Sequence, residues 1–107
     1  MKYHAHVYFD LNQIQIIELL YAQLQQEFGE TVSYGRIHQK LVGPHTKAMF
    51  QLEFDQSILP QIKNSLSSND LNLSVLIHPL DDNAYLAHTQ GAEWLEKPLA
   101  LNLAIFS

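Results

Sequence analysis

The strict alternation of residues 2–9 limits the possible folds more than any other feature of this chain. Tyr3, Ala5, Val7 and Phe9 fall on one side, and His4, His6 and Tyr8 on the other. A period of two marks a β-strand with two unlike faces. The pattern then changes. Ile14, Ile17, Tyr21, Leu24 and Phe28 recur at steps of three and four, the period of an amphipathic helix whose stripe belongs to a core. Asp10 or Asn12 offers an N-cap for it, and Gly29 is placed to end it.

Both periods then return. Residues 34–41 read as a second strand, with Ile37 and Leu41 facing one way and Arg36, His38 and Lys40 the other. Val42-Gly43-Pro44 breaks the chain in a turn. Residues 46–54 read as a third strand, with Ala48, Phe50, Leu52 and Phe54 on one face and Met49, Gln51 and Glu53 on the other. A second helix follows, capped by Asp55 or Ser57, with Pro60 in its first turn and an apolar stripe of Ile58, Leu59, Ile62 and Leu66. Ser67-Ser68-Asn69-Asp70 reads as a loop. Residues 71–78 then form a fourth strand, with Leu71, Leu73, Val75 and Ile77 inward and Ser74, Leu76 and His78 outward.

The order β-α-β-β-α-β predicts an α+β, ferredoxin-like sandwich, in which two helices cover one face of an antiparallel sheet. The C-terminal extension holds a short helix over 83–88, then Trp94, Pro98 and an apolar run, 99–106, expected to add an edge strand. Tyr85 and Trp94 are expected to pack this tail or to line an aromatic pocket. At 107 residues, with no repeat or linker, the sequence reads as one domain over 1–107.

Composition excludes several functions. The chain has no cysteine, which removes disulfides, thiolate metal sites and thiol nucleophiles. With six Lys plus Arg and a net charge of −5, it has no basic stripe to replace phosphate counterions, so no nucleic-acid partner is expected. The N-terminus lacks the apolar core of a signal peptide, and no apolar run approaches the roughly 20 residues that span a bilayer. A cytoplasmic location with no membrane partner is expected. A chain this short has little apolar surplus, so a homodimer is expected too.

Six histidines in 107 residues exceed twice the roughly 2% of ordinary usage. Their placement matters more than their number. With the strand order 4-1-3-2, strand 1 is central, and the end of strand 4 lies beside its start. Strand 3 is expected to run parallel to strand 1, which would put their starts side by side. His4, His6, His78 and His45 then share one corner of the face the helices leave open. Cα positions about 7 Å apart along a strand and strands about 4.8 Å apart let such imidazoles meet around an ion, at nitrogen distances of about 2.1 Å. Plainer roles compete: terminal fraying for His4, an inert hydrogen-bonded histidine at His6, a turn contact at His78, and a solvated edge for His38 beside Arg36 and Lys40.

Four stretches carry a further signal: His4-Ala5-His6-Val7-Tyr8-Phe9, Gly43-Pro44-His45, Val75-Leu76-Ile77-His78-Pro79-Leu80, and His88-Thr89 with Ala92-Glu93-Trp94-Leu95. In this order and spacing, over residues 4 to 103, the chain resembles the DOPA 4,5-dioxygenase-like family. The resemblance implies a ferredoxin-like fold, extradiol cleavage of a catechol such as L-DOPA with O2, and a site built from His4, His6, His45, His78 and His88. It is what brings in His88. Thr46, the segment Asp81-Asp82-Asn83, Ala87 and Glu96 depart from the family's usual pattern. They leave the histidines in place and bear on the substrate.

Non-haem iron sites commonly combine two histidines with a carboxylate. The expected metal ligands are His6, His78 and His4, with His45 as the alternative to His4, and with Fe(II) as the ion and zinc as an alternative after purification. His45, His88 and Tyr8 are expected to act in catalysis; Arg36 and Lys40 are expected to be solvated, with contact to a substrate carboxylate as the alternative. The carboxylate ligand is the open question. Glu53 shares the face by parity but is expected at the far end of strand 3, and Asp81, Asp82 and Glu93 lie on the tail segments. The competing readings are a dimeric ferredoxin-like protein that binds a small ligand or structural metal, and an oxygenase that needs no cofactor.

Overall fold

A computed structural model describes residues 1–68 and 70–106. The alternating N-terminal segment forms β1, Lys2–Phe9. A turn of 3-10 helix leads into α1, Ile14–Phe28. At its start the Asp10 amide donates to the Gln13 side-chain oxygen at 2.8 Å. The helix stops at Gly29, whose φ of 53° and ψ of −133° suit only glycine. No atom lies within 4 Å of where a Cβ would sit there. Gly29→Ala is therefore expected to destabilise the protein by about 1–2 kcal/mol through backbone strain alone, read as a shifted urea midpoint with unchanged slope.

The remaining elements are β2 (Val32–Tyr34), β3 (Ala48–Asp55), α2 (Leu59–Ser67), β4 (Val75–Pro79), α3 (Ala84–Ala87) and β5 (Glu93–Leu95). Asp55 caps the turn leading to α2 by accepting from the Ser57 amide at 2.9 Å. The sheet order is β2-β3-β1-β4-β5, with every pairing antiparallel. The expected order 4-1-3-2 is thus present, with a fifth strand beyond β4. One face carries Ala5, Val7, Phe9, Phe50, Leu52, Phe54, Val75 and Ile77 against Ile17, Leu20 and Leu24 of α1 and Ile62 and Leu66 of α2. These residues are the alternating and helical stripes of the sequence, buried together as the main core.

Several expectations need correction. β3 runs antiparallel to β1, not parallel: Phe9 lies opposite Ala48 and Lys2 opposite Asp55. A right-handed β-α-β crossover makes β1 and β2 parallel, and the β2–β3 return then reverses β3. The second strand is shorter than 34–41 and begins earlier. From Tyr34 opposite Leu52 to the bridge between His38 and Met49, this side advances four residues against three on β3. The extra residue breaks the ladder, as a bulge does. Ile37 still packs on the core, but Leu41 is 66% exposed instead of facing inward.

The fourth strand begins at Val75, not at 71, although Leu73 is buried and Leu71 packs against the core as expected. Ser67 belongs to α2; Asn69, in the expected loop of 67–70, lies outside the described residues. The edge strand comes from Glu93–Leu95, while the run 99–106 gives only a bridge at Leu101 and a 3-10 turn, Leu103–Phe106. Among the described residues, no helix is long and apolar enough to cross a membrane.

The second face of the sheet is not left open. The tail beyond β5 folds over it, and Tyr8, Met49 and Leu76 form a smaller cluster with Val42, Ala92, Trp94, Leu99 and Leu101. Trp94 stacks on Tyr8 with ring centroids 5.7 Å apart, so it packs the tail. Tyr85 stays 48% exposed.

Candidate metal centre

The covered second face holds five histidines. His4 and His6 project from β1, and His78 comes from β4, directly opposite His4. His45 precedes β3, and His88 follows α3. His6, His45 and His78 are buried, each 5% exposed or less. The rings form one cluster: His6 lies 4.2 Å from His45 and 5.0 Å from His78, His78 lies 4.3 Å from His88, and His4 lies 5.4 Å from His78. His38, set apart on the edge segment, lines a surface cavity of about 410 Å³ with Arg36, Lys40 and Val42.

His45 reaches the cluster by a different route from the one expected. With β3 antiparallel, its start lies beside Tyr8 at the end of β1. The His45 loop is pinned from the tail, where the Asn102 amide donates to the Pro44 carbonyl and the Thr46 hydroxyl to the Ala100 carbonyl. This holds His45 against Tyr8, two residues beyond His6 on the same face. The same reversal brings Glu53 close. It sits opposite His4 in register, and its carboxylate lies 2.9 Å from His4 Nε2. The sequence reading placed it at the far end; with the strand direction corrected, parity alone would have found it. Glu93 instead pairs with Lys63, and Asp81 accepts from the Asn83 amide.

Peripheral partners fix which ring nitrogens face the centre. His78 Nδ1 donates to the Pro79 carbonyl at 2.9 Å, and His88 Nδ1 to the Ala84 carbonyl at 2.8 Å. In each neutral ring the other nitrogen, Nε2, then carries the lone pair. His4 Nε2 donates to Glu53, which leaves the lone pair on Nδ1. His45 differs. Burial pushes the Tyr8 hydroxyl pKa well up, so this group stays protonated and donates to His45 Nδ1 at 2.6 Å. His45 Nε2 then keeps its hydrogen. Three rings present lone pairs to the cluster and His45 presents a proton.

Burial is also the main cause of low basicity. It holds His6 well below the usual histidine range, helped by His45, His78, His4 and His88. His45 is lowered to about 4 by burial, then by His88, His78 and His38. His78 is lowered to about 4 by burial and by its neighbours His88 and His4, against the opposing hydrogen bond to Pro79. These rings are neutral at pH 7, the form that binds metals.

A metal ion fits this donor set. His6 Nε2 and His78 Nε2 lie 2.9 Å apart, and two nitrogens bound side by side at about 2.1 Å in an octahedral shell would be about 3.0 Å apart. His6 Nδ1 is buried without a hydrogen-bond partner among the described residues, unusual for a native core. His4, His6 and His78 bring one ligand atom each within 4.8 Å of one another, and so do His6, His45 and His88. His6 is common to both triads. In this hydrogen-bond pattern His45 Nε2 carries a proton, held there by the Tyr8 hydroxyl on Nδ1.

A model of the Dopa 4,5-dioxygenase family matches residues 3–105. The chain belongs to that family. The crystal structure of a candidate dioxygenase from Nostoc punctiforme is similar, with 32% identity, 96% of this chain and 88% of that chain covered, and a TM-score of 0.81. No curated protein matches the chain. Membership of the Dopa 4,5-dioxygenase family and this neighbour support a dioxygenase-like function and the ferredoxin-like architecture together. The five clustered histidines are the residues that the family resemblance singles out in this sequence.

Proposed function

We propose that the chain is a ferrous-iron extradiol dioxygenase that opens the ring of a catechol such as L-DOPA with O2. His4, His6 and His78 hold the ion, and His45, His88 and Tyr8 manage protons. The observation that carries this reading is the convergence of imidazoles whose outer nitrogens are tethered, with ligand atoms close enough for one ion. Nitrogen donors suit iron and also zinc, which competes for the same site.

Bound ferrous iron would supply the point where the diol and O2 meet and exchange electrons. The chain's own groups do the rest. His88, half-buried and tied through Nδ1 to the Ala84 carbonyl, accepts a hydroxyl proton from the catechol at Nε2. His45 Nε2–H donates toward an oxygen that gains charge, and Tyr8 fixes the tautomer that permits it. Buried Leu76 and Met49, with partly buried Trp94, keep water away. One ring bond beside the diol breaks, and both atoms of O2 enter the product.

The test is to load ferrous iron anaerobically, add L-DOPA or simpler catechols, and admit air. Oxygen uptake with a yellow ring-opened product is expected, and no uptake with any catechol overturns the reading. Metal held tightly without any uptake would point to a non-enzymatic binding protein. Tyr8→Phe removes the donor to His45 Nδ1 and lets that ring change tautomer. It is expected to lower kcat roughly 10- to 100-fold, less than the 10²–10⁴ of losing an acid–base group outright, with metal content unchanged.

A further inference from the structure

We propose that Glu53 is a positioning residue that makes His4 bind the metal through Nδ1, whereas His78 binds through Nε2; this rests on the metal site proposed above. His4 lies near the start of β1, the central strand, and its side chain is 16% exposed, the least enclosed of the three ligands. A free imidazole there would sample both tautomers and several ring orientations. Glu53 removes that freedom. The two residues are direct cross-strand partners of β1 and β3, and the carboxylate accepts from His4 Nε2 at 2.9 Å. Ionised carboxylates accept only, so the hydrogen must sit on Nε2, and a ring that binds a metal can then offer only Nδ1.

Gln51, the next residue on the same face of β3, places its side-chain nitrogen 3.4 Å from the same His4 atom. An amide nitrogen cannot donate to a ring N–H. Turned over, the Gln51 amide would offer its oxygen to that hydrogen and reinforce the same tautomer. His78 is oriented in the opposite sense, with Nδ1 tied to a backbone carbonyl. The side chain of Glu53 is therefore doing for His4 what the Pro79 carbonyl does for His78. It also answers the question of the carboxylate: the acid is in contact with a ligand, on the far side of its ring.

Outer partners of metal-bound histidines typically contribute 10- to 100-fold to affinity. Glu53→Ala is expected to weaken metal binding by about that factor, measured by chelator competition with zinc and ferrous iron. Glu53→Gln keeps an oxygen acceptor and is expected to restore most of the affinity. A second readout needs no metal. Nitrogen NMR of the metal-free protein should show His4 as the Nε2–H tautomer in the wild type and in Glu53→Gln, and as a mixture in Glu53→Ala. Unchanged affinity in Glu53→Ala, or an unchanged His4 tautomer, overturns the proposal. Should the wild type bind neither metal, the metal site itself fails, while the tautomer measurement still decides what Glu53 does to His4.

Discussion

Replacing His6 with alanine is expected to abolish metal retention and oxygen uptake together. Among the described residues, His6 belongs to both triads whose ligand atoms lie close enough for one ion, so neither triad survives its loss. Removing His78 breaks only the first triad, and removing His45 only the second. The three variants therefore separate roles. His6→Ala and His78→Ala should each lose well over ~100-fold in metal affinity, more than is usual for a partner outside the coordination shell. His45→Ala should keep its metal and lose turnover. His6→Ala should also remain folded without metal, because the substitution removes a buried nitrogen, Nδ1, that has no hydrogen-bond partner among the described residues. Metal content by mass spectrometry, affinity by chelator competition and a thermal melt on the same samples provide the check. Metal retained at wild-type affinity in both His6→Ala and His78→Ala would refute the assignment.

The metal-free protein is expected to lose stability as the pH falls from about 6.5 to about 4. An unfolded histidine takes up its proton near 6.5, whereas folded His45 and His78 do so only near 4, because burial opposes the charge. Between these values the unfolded chain binds more protons, so stability is fully present above the unfolded value and declines toward the folded one. A shift of one pH unit corresponds to about 1.4 kcal/mol, so the two histidines together would withdraw roughly 3 kcal/mol or more. His6 acts in the same direction. Once charged, the rings also repel one another at centroid separations near 4–6 Å. Urea midpoints measured at pH 7.5, 6, 5 and 4 test this, and a flat profile would mean the histidines are not held neutral by folding. Added zinc at pH 7.5 should raise the midpoint, with less effect near pH 5, where protons compete for the ligands.

The sequence revealed the main core well because its signals were long. Eight alternating residues in β1 and the five-residue stripe of α1 have one satisfactory burial each, and both appear as expected. The histidines on the other face of β1 followed from the same parity. Strand direction is not encoded in parity, and there the reading failed. Running β3 the wrong way brought His45 to the right cluster for the wrong reason and sent Glu53 to the wrong end. The tail was the least legible part. β5 has three residues, too few to display a period, and Trp94 reads first as packing and second as a pocket wall. The expected open face is closed by this tail, which is why His6, His45 and His78 are buried. Phe106 against His88, with centroids 5.1 Å apart, had no sequence signal at all.

The histidine cluster as a metal centre is the claim on which the rest depends. A crystal structure of the protein loaded anaerobically with ferrous iron, with an anomalous map at the iron edge, examines it most directly. The expected result is one peak bounded by His4 Nδ1, His6 and His78 Nε2, with at least two positions free for a diol and His45 outside the coordination shell. A peak elsewhere in the molecule, an ion enclosed by four protein ligands, or no peak in a protein that binds iron in solution would contradict it.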